Sequence, residues 1–457
     1  MAIDNEAVVW TRTGGAPRKM GRLYVTPTQS RFTYDKEYAT AGLPGLSLVY
    51  PPAAFSNTTI EFDRSNQFHL FPSIQSLIPP AETGNFQRSI AVKYLASQGK
   101  TGLIGAELDW EILKVSSHGG IGHLDVFMDD DAALAWYSRT LNVELAPVTE
   151  RMSYTLKQFI NWVNDDINYF IDVIGPTPSV GGAIPKLLLS IPNSGWNDTI
   201  APPTKTQTPG LTDVVLKFER TASYPGITEI EALALDTAKK AGFEVPRYWL
   251  TSFNDMPAIA VERFDRDENQ APLPVETIYS ILASGGVKLQ HHYDYSYDKI
   301  ATAILGSTVE LCTDVDKGIE HLFKRIIFSL LTGNGDLHLE NLSIIQRNGV
   351  REFSPVYDPT PMRAYAIHDA MFSCELGGYG TMPEGAKQPV DLPEAIVRFS
   401  KTARINKPRM KQWIGQMLDA TDTYNKDVQA LALLPEDNKA RLIKRTAFAR
   451  DKISLLT

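Results

Sequence analysis

Only two cysteines, Cys312 and Cys374, occur in 457 residues, and no Cys-x-x-Cys pair is present. That excludes a disulfide-stapled scaffold and the usual cysteine-based zinc or redox motifs. No apolar run approaches the ~18 residues a membrane-spanning helix needs. Residues 1–25 are too polar and mixed for a secretory leader. Excess positive charge is missing too: 45 Lys plus Arg stand against 53 Asp plus Glu, a formal net charge of −8. A chain-wide field for nucleic acid or an anionic membrane is thereby excluded, leaving only local patches. Gly-x-Ser-x-Gly, His-Glu-x-x-His, Walker A and Gly-x-Gly-x-x-Gly patterns are all absent, which removes the commonest hydrolase, zinc-protease and nucleotide-loop signals. What remains is a globular, cytoplasmic chain, 43% hydrophobic and 21% charged, long enough for a large core and two or three domains.

Residues 6–125 read as β-rich. Short runs such as 7–10, 21–25 and 32–34 are separated by Gly, Pro and other turn formers, and 102–105 and 119–122 add tight backbone sites. The period then changes to that of helices. Asp129-Asp130-Asp131 can cap a helix running to about Thr140; an acidic triplet there is a solvated helix start rather than a metal site. A longer helix is predicted over 153–173. Others are predicted over 228–242, ending at Gly242 ahead of Pro246, and over 316–331, with Ile319, Leu322, Phe323, Ile326, Ile327 and Leu330 on its core face. Three more follow at 393–404, 408–424 and 435–456. Residues 398–412 carry six Lys or Arg and no acid, most simply a solvated face. His291, His292 and the nearby tyrosines read as a surface loop, because they lack the helical spacing of a metal site.

The most informative stretch runs from Gly333 to Asp358. It packs Asp336, His338 and Asn341 into six positions, then forms a predicted hairpin of 342–347 and 350–357 about Asn348-Gly349, the dipeptide best suited to a two-residue type I′ turn. Continuing that register puts Asn341 near Val356 and Asp358 near Leu339. Two hard oxygen ligands, Asn341 and Asp358, would then meet beside Asp336, which suits Mg2+ carrying a nucleotide's phosphates.

Earlier in the chain, 175–186 ends in Ser179-Val180-Gly181-Gly182-Ala183-Ile184-Pro185-Lys186 before an apolar strand. Glycines let backbone N–H groups approach phosphate oxygens, and Lys186 adds a point charge; alone, the pattern fits a plain hairpin turn as well. Asp213–Phe218 is a buried-looking strand with Lys217 inside it. Such a lysine lies at an edge or meets an anion, and Glu231 or Glu229 on the next helix can supply one. A second hairpin, 249–251 with 257–262, leads into Arg263-Phe264-Asp265-Arg266. The order of glycine loop, strand lysine, helix glutamate, helical region, Asp-x-His-x-x-Asn loop, hairpin and aspartate is the parts list of a two-lobed phosphotransferase. Asp336 would orient the attacking hydroxyl, Asn341 and Asp358 would hold magnesium, and Lys217 would neutralise phosphate oxygens.

These stretches, with Ala238–Pro246, Val261–Arg266, Gly335–Asn341 and Val356-Tyr357-Asp358, resemble the HipA-type serine/threonine kinases of bacterial toxin–antitoxin systems over roughly residues 175–457. The resemblance implies an α/β, two-lobed, protein-kinase-like fold with a β-rich N-terminal portion and an all-helical C-terminal lobe. Expected domains are 1–125 (β-rich subdomain), 126–262 (glycine loop and ATP lysine) and 263–457 (catalytic loop and metal site). It implies ATP and Mg2+ as cofactors. Ser179, Val180, Gly181, Gly182, Ala183, Lys186, Lys217, Glu231, Glu262, Phe264 and His338 would contact the nucleotide; Lys217, Asp336 and Asn341 would be catalytic. It implies a protein substrate, in known members an aminoacyl-tRNA synthetase, autophosphorylation at Ser179, and a helix-turn-helix antitoxin of HipB type, with DNA reached only through that partner and no membrane contact. Leu77-Ile78-Pro79-Pro80 matches only the end of the FF-x-x-LLP stretch expected in the N-terminal part. Two other readings share the same residues: a small-molecule phosphotransferase of similar shape, and a nucleotide-binding scaffold or corepressor on a DNA-binding partner.

Overall fold

The computed structural model describes residues 5–81, 85–138, 145–160, 180, 184–203, 208–306 and 308–457. Ser179, Gly181, Gly182 and Ala183 of the expected phosphate loop, and the end of the helix expected over 153–173, lie outside the described residues. The chain forms two compact units. One comprises Met1–Arg220, Arg247–Glu276 and Ser280–Val287; the other comprises Thr221–Pro246, Thr277–Tyr279 and Lys288–Thr457. Among the described residues no helix is long and apolar enough to cross a membrane.

Among the described residues, the first unit contains two larger antiparallel sheets and a two-stranded one that pairs Ala146–Pro147 with Thr199–Ile200. Strands Ile60–Asp63, Gln29–Tyr34, Arg18–Val25, Asn5–Thr11 and Asp125–Phe127 lie side by side in that order. The three short runs of the sequence reading are therefore strands. The stretch 6–125 is not β-rich throughout, however: Phe86–Ser97 and Gly105–Ser116 are helices. Asn85 caps the first, its side chain accepting from the Arg88 amide at 3.0 Å. Gly99 and Gly102, with φ of 78° and 77°, link two helices where the punctuation suggested strand turns. Ile112 and Leu113 pack with Val9, Phe32 and Val126 in one core.

The second sheet orders Tyr248–Phe253, Met256–Glu262, Leu211–Phe218 and Lys186–Pro192. Leu187, Leu189, Val214, Leu216, Phe253, Ala258 and Ala260 share a core with Phe86 and Ile90 of the first helix and with Met152 and Leu156 of helix Glu150–Ile160. Each buried Leu, Ile, Val, Phe or Met among them contributes about 1.5–3 kcal/mol. Register makes 213, 215 and 217 face away from that core, alternating with 214, 216 and 218.

Arg263, Asp265 and Arg266 hold this unit together from the inside. Arg263 Nε and Nη2 donate to the Asp265 carboxylate at 3.0 and 2.8 Å, and its Nη1 and Nη2 donate to the Gly119 and Gly120 carbonyls at 3.0 and 2.5 Å. Arg266 donates to Gly120 O and Asp265 Oδ2, each at 3.0 Å, and the Gly122 amide donates to Asp265 Oδ2 at 2.8 Å. Burial alone would raise the Asp265 carboxyl, but the two guanidiniums outweigh it and bring it down to about 2.

The second unit is mainly helical. Helix Val315–Thr332 begins at Asp314, whose side chain accepts from the Lys317 amide at 3.0 Å, and stops at Gly333, which takes φ 74°. Its six predicted core residues are all buried. Helices Ile227–Lys240, Leu392–Thr402, Lys407–Ala420 and Glu436–Ser454 match the expected segments within a few residues. Tyr424 instead opens a separate helix, Tyr424–Gln429. In the basic stretch, Arg398 pairs with Glu394 at 2.6 Å and Arg409 with Asp316 at 3.5 Å, which accords with a solvated face.

Candidate active site

In the first unit, Lys217 sits on Leu211–Phe218, an interior strand of the four-stranded sheet, so the edge-strand reading of this lysine does not hold. Its direct cross-strand partner is Lys186. Two register partners project from one face, and both are buried, at 6% and 3% exposure. Like charges placed opposite one another repel, so two lysines set face to face need anionic groups nearby. Val180 of the glycine loop donates its amide to Gln87 Oε1 at 2.9 Å. Glu262 is gripped by Arg247, whose Nε and Nη2 each donate to it at 2.7 Å. Phe264 is half-buried beside it. A cleft of about 500 Å3 opens in this unit, lined by Asn193, Thr212, Arg247, Glu262, Arg266 and Asp267 among others; neither lysine lines it.

In the second unit, Gly333 ends the long helix and delivers the acid loop. The Asp336 amide donates to Asn334 Oδ1 at 2.8 Å, and the His338 and Asn341 amides fold the loop onto the Asp336 and His338 carbonyls at 2.8 and 3.0 Å. Asn341 Nδ2 donates to the Asp336 carbonyl at 2.7 Å. With its nitrogen so used, the amide presents Oδ1 away from the loop backbone. His338 Nε2 lies 3.8 Å from Asp336 Oδ2, and the Tyr293 hydroxyl reaches Asp336 Oδ1 at 3.5 Å.

The hairpin follows in the expected register: Arg347 pairs with Val350 about Asn348 and Gly349, whose φ values are 51° and 80°. The register does not continue to Asn341. The Ser354 amide still bonds to Ser343 O, but the Val356 amide turns away to Glu244 O at 2.8 Å. What closes the open end is Tyr357, whose hydroxyl donates to Glu340 O at 2.6 Å and shares a 2.6 Å bond with Ser343 Oγ. The residue before Asp358 is thus tied to the residue before Asn341. Asp358 takes φ 48°, and its Oδ1 accepts from Thr360 Oγ1 at 3.1 Å. Buried Arg325, on the long helix, donates from Nη2 to Tyr357 O at 3.2 Å. The donor set of Asn341 Oδ1 and the Asp358 carboxylate is hard and oxygen-only, which fits Mg2+.

Glu231 is buried on helix Ile227–Lys240. Glu229 is committed elsewhere: its carboxylate accepts from the Ala432 and Leu433 amides at 2.8 and 2.7 Å. Sequence reading gave Arg325 and Tyr357 no role in the site and took His292 for a surface residue. His292 is not a bare surface residue; its ring lies 4.1 Å from that of His338, a neighbour distant in sequence. Arg325 carried a signal, an arginine one turn from apolar stripe positions, where only a bonded guanidinium is tolerated.

Such a chain has the fold of the HipA kinases: its structure matches that of HipA in the Shewanella oneidensis complex of HipA, HipB and operator DNA with a TM-score of 0.63, 16% identity, and coverage of 96% and 95% of the two chains. Residues 178–424 match the HipA-like C-terminal domain family, and the protein belongs to that family. Curated relatives include a putative kinase of Haemophilus influenzae, 32% identical over 31% of this chain and 43% of its own length. Another is the serine/threonine-protein kinase toxin HipA of Shewanella oneidensis, 25% identical over 48% of this chain and 52% of its own. The matched part thus spans about half the length of these relatives or less.

Proposed function

We propose that the protein is an ATP- and magnesium-dependent serine/threonine protein kinase of the HipA type. The observation that carries this is the Asn341 amide locked onto the Asp336 carbonyl, in a loop with the Asp-to-Asn spacing of kinase catalytic loops. Bound Mg–ATP would supply the transferable phosphoryl group. Asp336 orients the acceptor hydroxyl and takes its proton. Asn341 and Asp358 hold the cation, while Lys186 and Lys217 offset negative charge on phosphate oxygens. Glu231, Glu262, Phe264, His338 and the 179–183 loop complete nucleotide binding in this reading.

The likeness to a HipA kinase toxin, and to HipA in a complex with HipB and operator DNA, extends the proposal to substrate and partner. The substrate is a protein, an aminoacyl-tRNA synthetase being the first to try, and the restraining partner is an antitoxin of HipB type that carries the DNA contact. Ser179 is the proposed autophosphorylation site; about two negative charges there would oppose phosphate binding.

The test is radiolabelled ATP–Mg with the full chain and a cell lysate, products located by phosphopeptide mass spectrometry. Transfer to proteins, to Ser179 among them, is expected. Asp336→Gln should reduce it at least ~100-fold, the scale of general-base catalysis, with unchanged melting. Labelled metabolites without labelled protein would replace this reading with a small-molecule phosphotransferase.

A further inference from the structure

His292, His338 and Glu340 bring two imidazoles and one carboxylate together, with one donor atom of each lying within 4.8 Å of the others. From this we infer that the second unit carries a binding site for a zinc-class divalent cation, separate from the oxygen ligands Asn341 and Asp358. His292 Nδ1 is 3.1 Å from Glu340 Oε2. Tetrahedral zinc with bonds of about 2.0–2.1 Å needs donor atoms roughly 3.3 Å apart, so this pair already stands at ligand spacing. The rings of His292 and His338 are 4.1 Å apart and inclined by 30°, which sets their nitrogens side by side.

The backbone holds the three residues in place. The Leu339 amide donates to His292 O at 3.2 Å, and Tyr357 anchors Glu340 O. Each ring nitrogen of His338 has one loop neighbour: Nδ1 accepts from the Glu340 amide at 3.2 Å, and Asn341 Nδ2 stands 3.4 Å from Nε2. A cation taking the lone pair of either nitrogen displaces one of these long contacts. Asp336 Oδ2 lies 3.8 Å from Nε2, a carboxylate within reach of the kind that orients metal-bound histidines. Side-chain exposures of 23% for His292 and 37% for Glu340 leave an entry path, while His338 at 10% forms the floor. Two nitrogens and one oxygen select zinc, cobalt or nickel over magnesium, which prefers oxygen alone.

The test is calorimetric titration of Zn2+ into the chelator-treated full chain without nucleotide, with Co2+ absorption as a second readout. One tight equivalent is expected, insensitive to millimolar Mg2+, with visible bands of four-coordinate cobalt. His292→Ala and the near-isosteric Glu340→Gln should each weaken binding by more than about 100-fold, beyond what an outer-shell partner is worth. Asp358→Asn should leave the equivalent intact. No stoichiometric zinc, or equal binding in either ligand variant with native melting, overturns the inference. None of these readouts needs phosphate transfer, so the kinase reading can fail while the zinc site stands, and the reverse.

Discussion

His321 is a titratable side chain held in the charge state that acid opposes. Its ring stacks on Phe353 at 4.8 Å and meets Phe243 edge-on at 5.4 Å. Burial, reinforced by nearby Arg325 and Lys324, lowers its pKa to about 3. The unfolded chain takes up that proton near 6.5. Below about pH 6.5, then, the unfolded state binds more protons and stability falls, down to about pH 3, by at most ~1.4 kcal/mol per pH unit. Urea melts at pH 7 and pH 5 should show a smaller loss for His321→Phe than for the wild type. Equal losses would show that this imidazole is already charged in the fold.

The elements show where sequence is legible and where it is not. The hairpin turn and the long helix depend on local signals, Asn348-Gly349 for one and a 3.6-residue apolar stripe for the other, and both formed as read. The register failed past Ser343 because a distant carbonyl, Glu244 O, competes for the Val356 amide; no local pattern announces such a rival. The helices 86–97 and 105–116 were hidden by glycines that look like strand punctuation. The Arg263-Phe264-Asp265-Arg266 run was visible as a motif, but its grip on the Gly119–Gly122 carbonyls is a long-range fact. Of the candidate site, the loop Asp336–Asn341 was legible because its parts lie within six residues; His292 became part of it only through folding.

Gly333 links element to site. A β-carbon there would collide with Leu442 Cδ1, and φ 74° disfavours any L side chain. Gly333→Ala should cost about 1–2 kcal/mol in thermal unfolding and reduce phosphate transfer by a larger factor than the lost folded fraction explains. Loss of activity in step with folding alone would show that the loop tolerates a displaced helix end.

At the scale of the molecule, the chain passes repeatedly between its two units, so neither is a continuous segment. The 221–246 excursion supplies Glu229 to the Ala432 and Leu433 amides, Glu244 O to the Val356 amide, and a Glu244 carboxylate that accepts two 2.9 Å bonds from Arg347. A fragment of residues 288–457 should therefore be helical by circular dichroism yet melt without a cooperative transition. A sharp two-state melt would show that the excursion is dispensable.

The long helix also acts as a common datum. Its C-terminus releases the loop bearing Asn341, and its Arg325 grips the carbonyl beside Asp358. A shift of that rod is therefore passed on to both carriers. Conformational change elsewhere can then relocate the two carriers together, altering what they face.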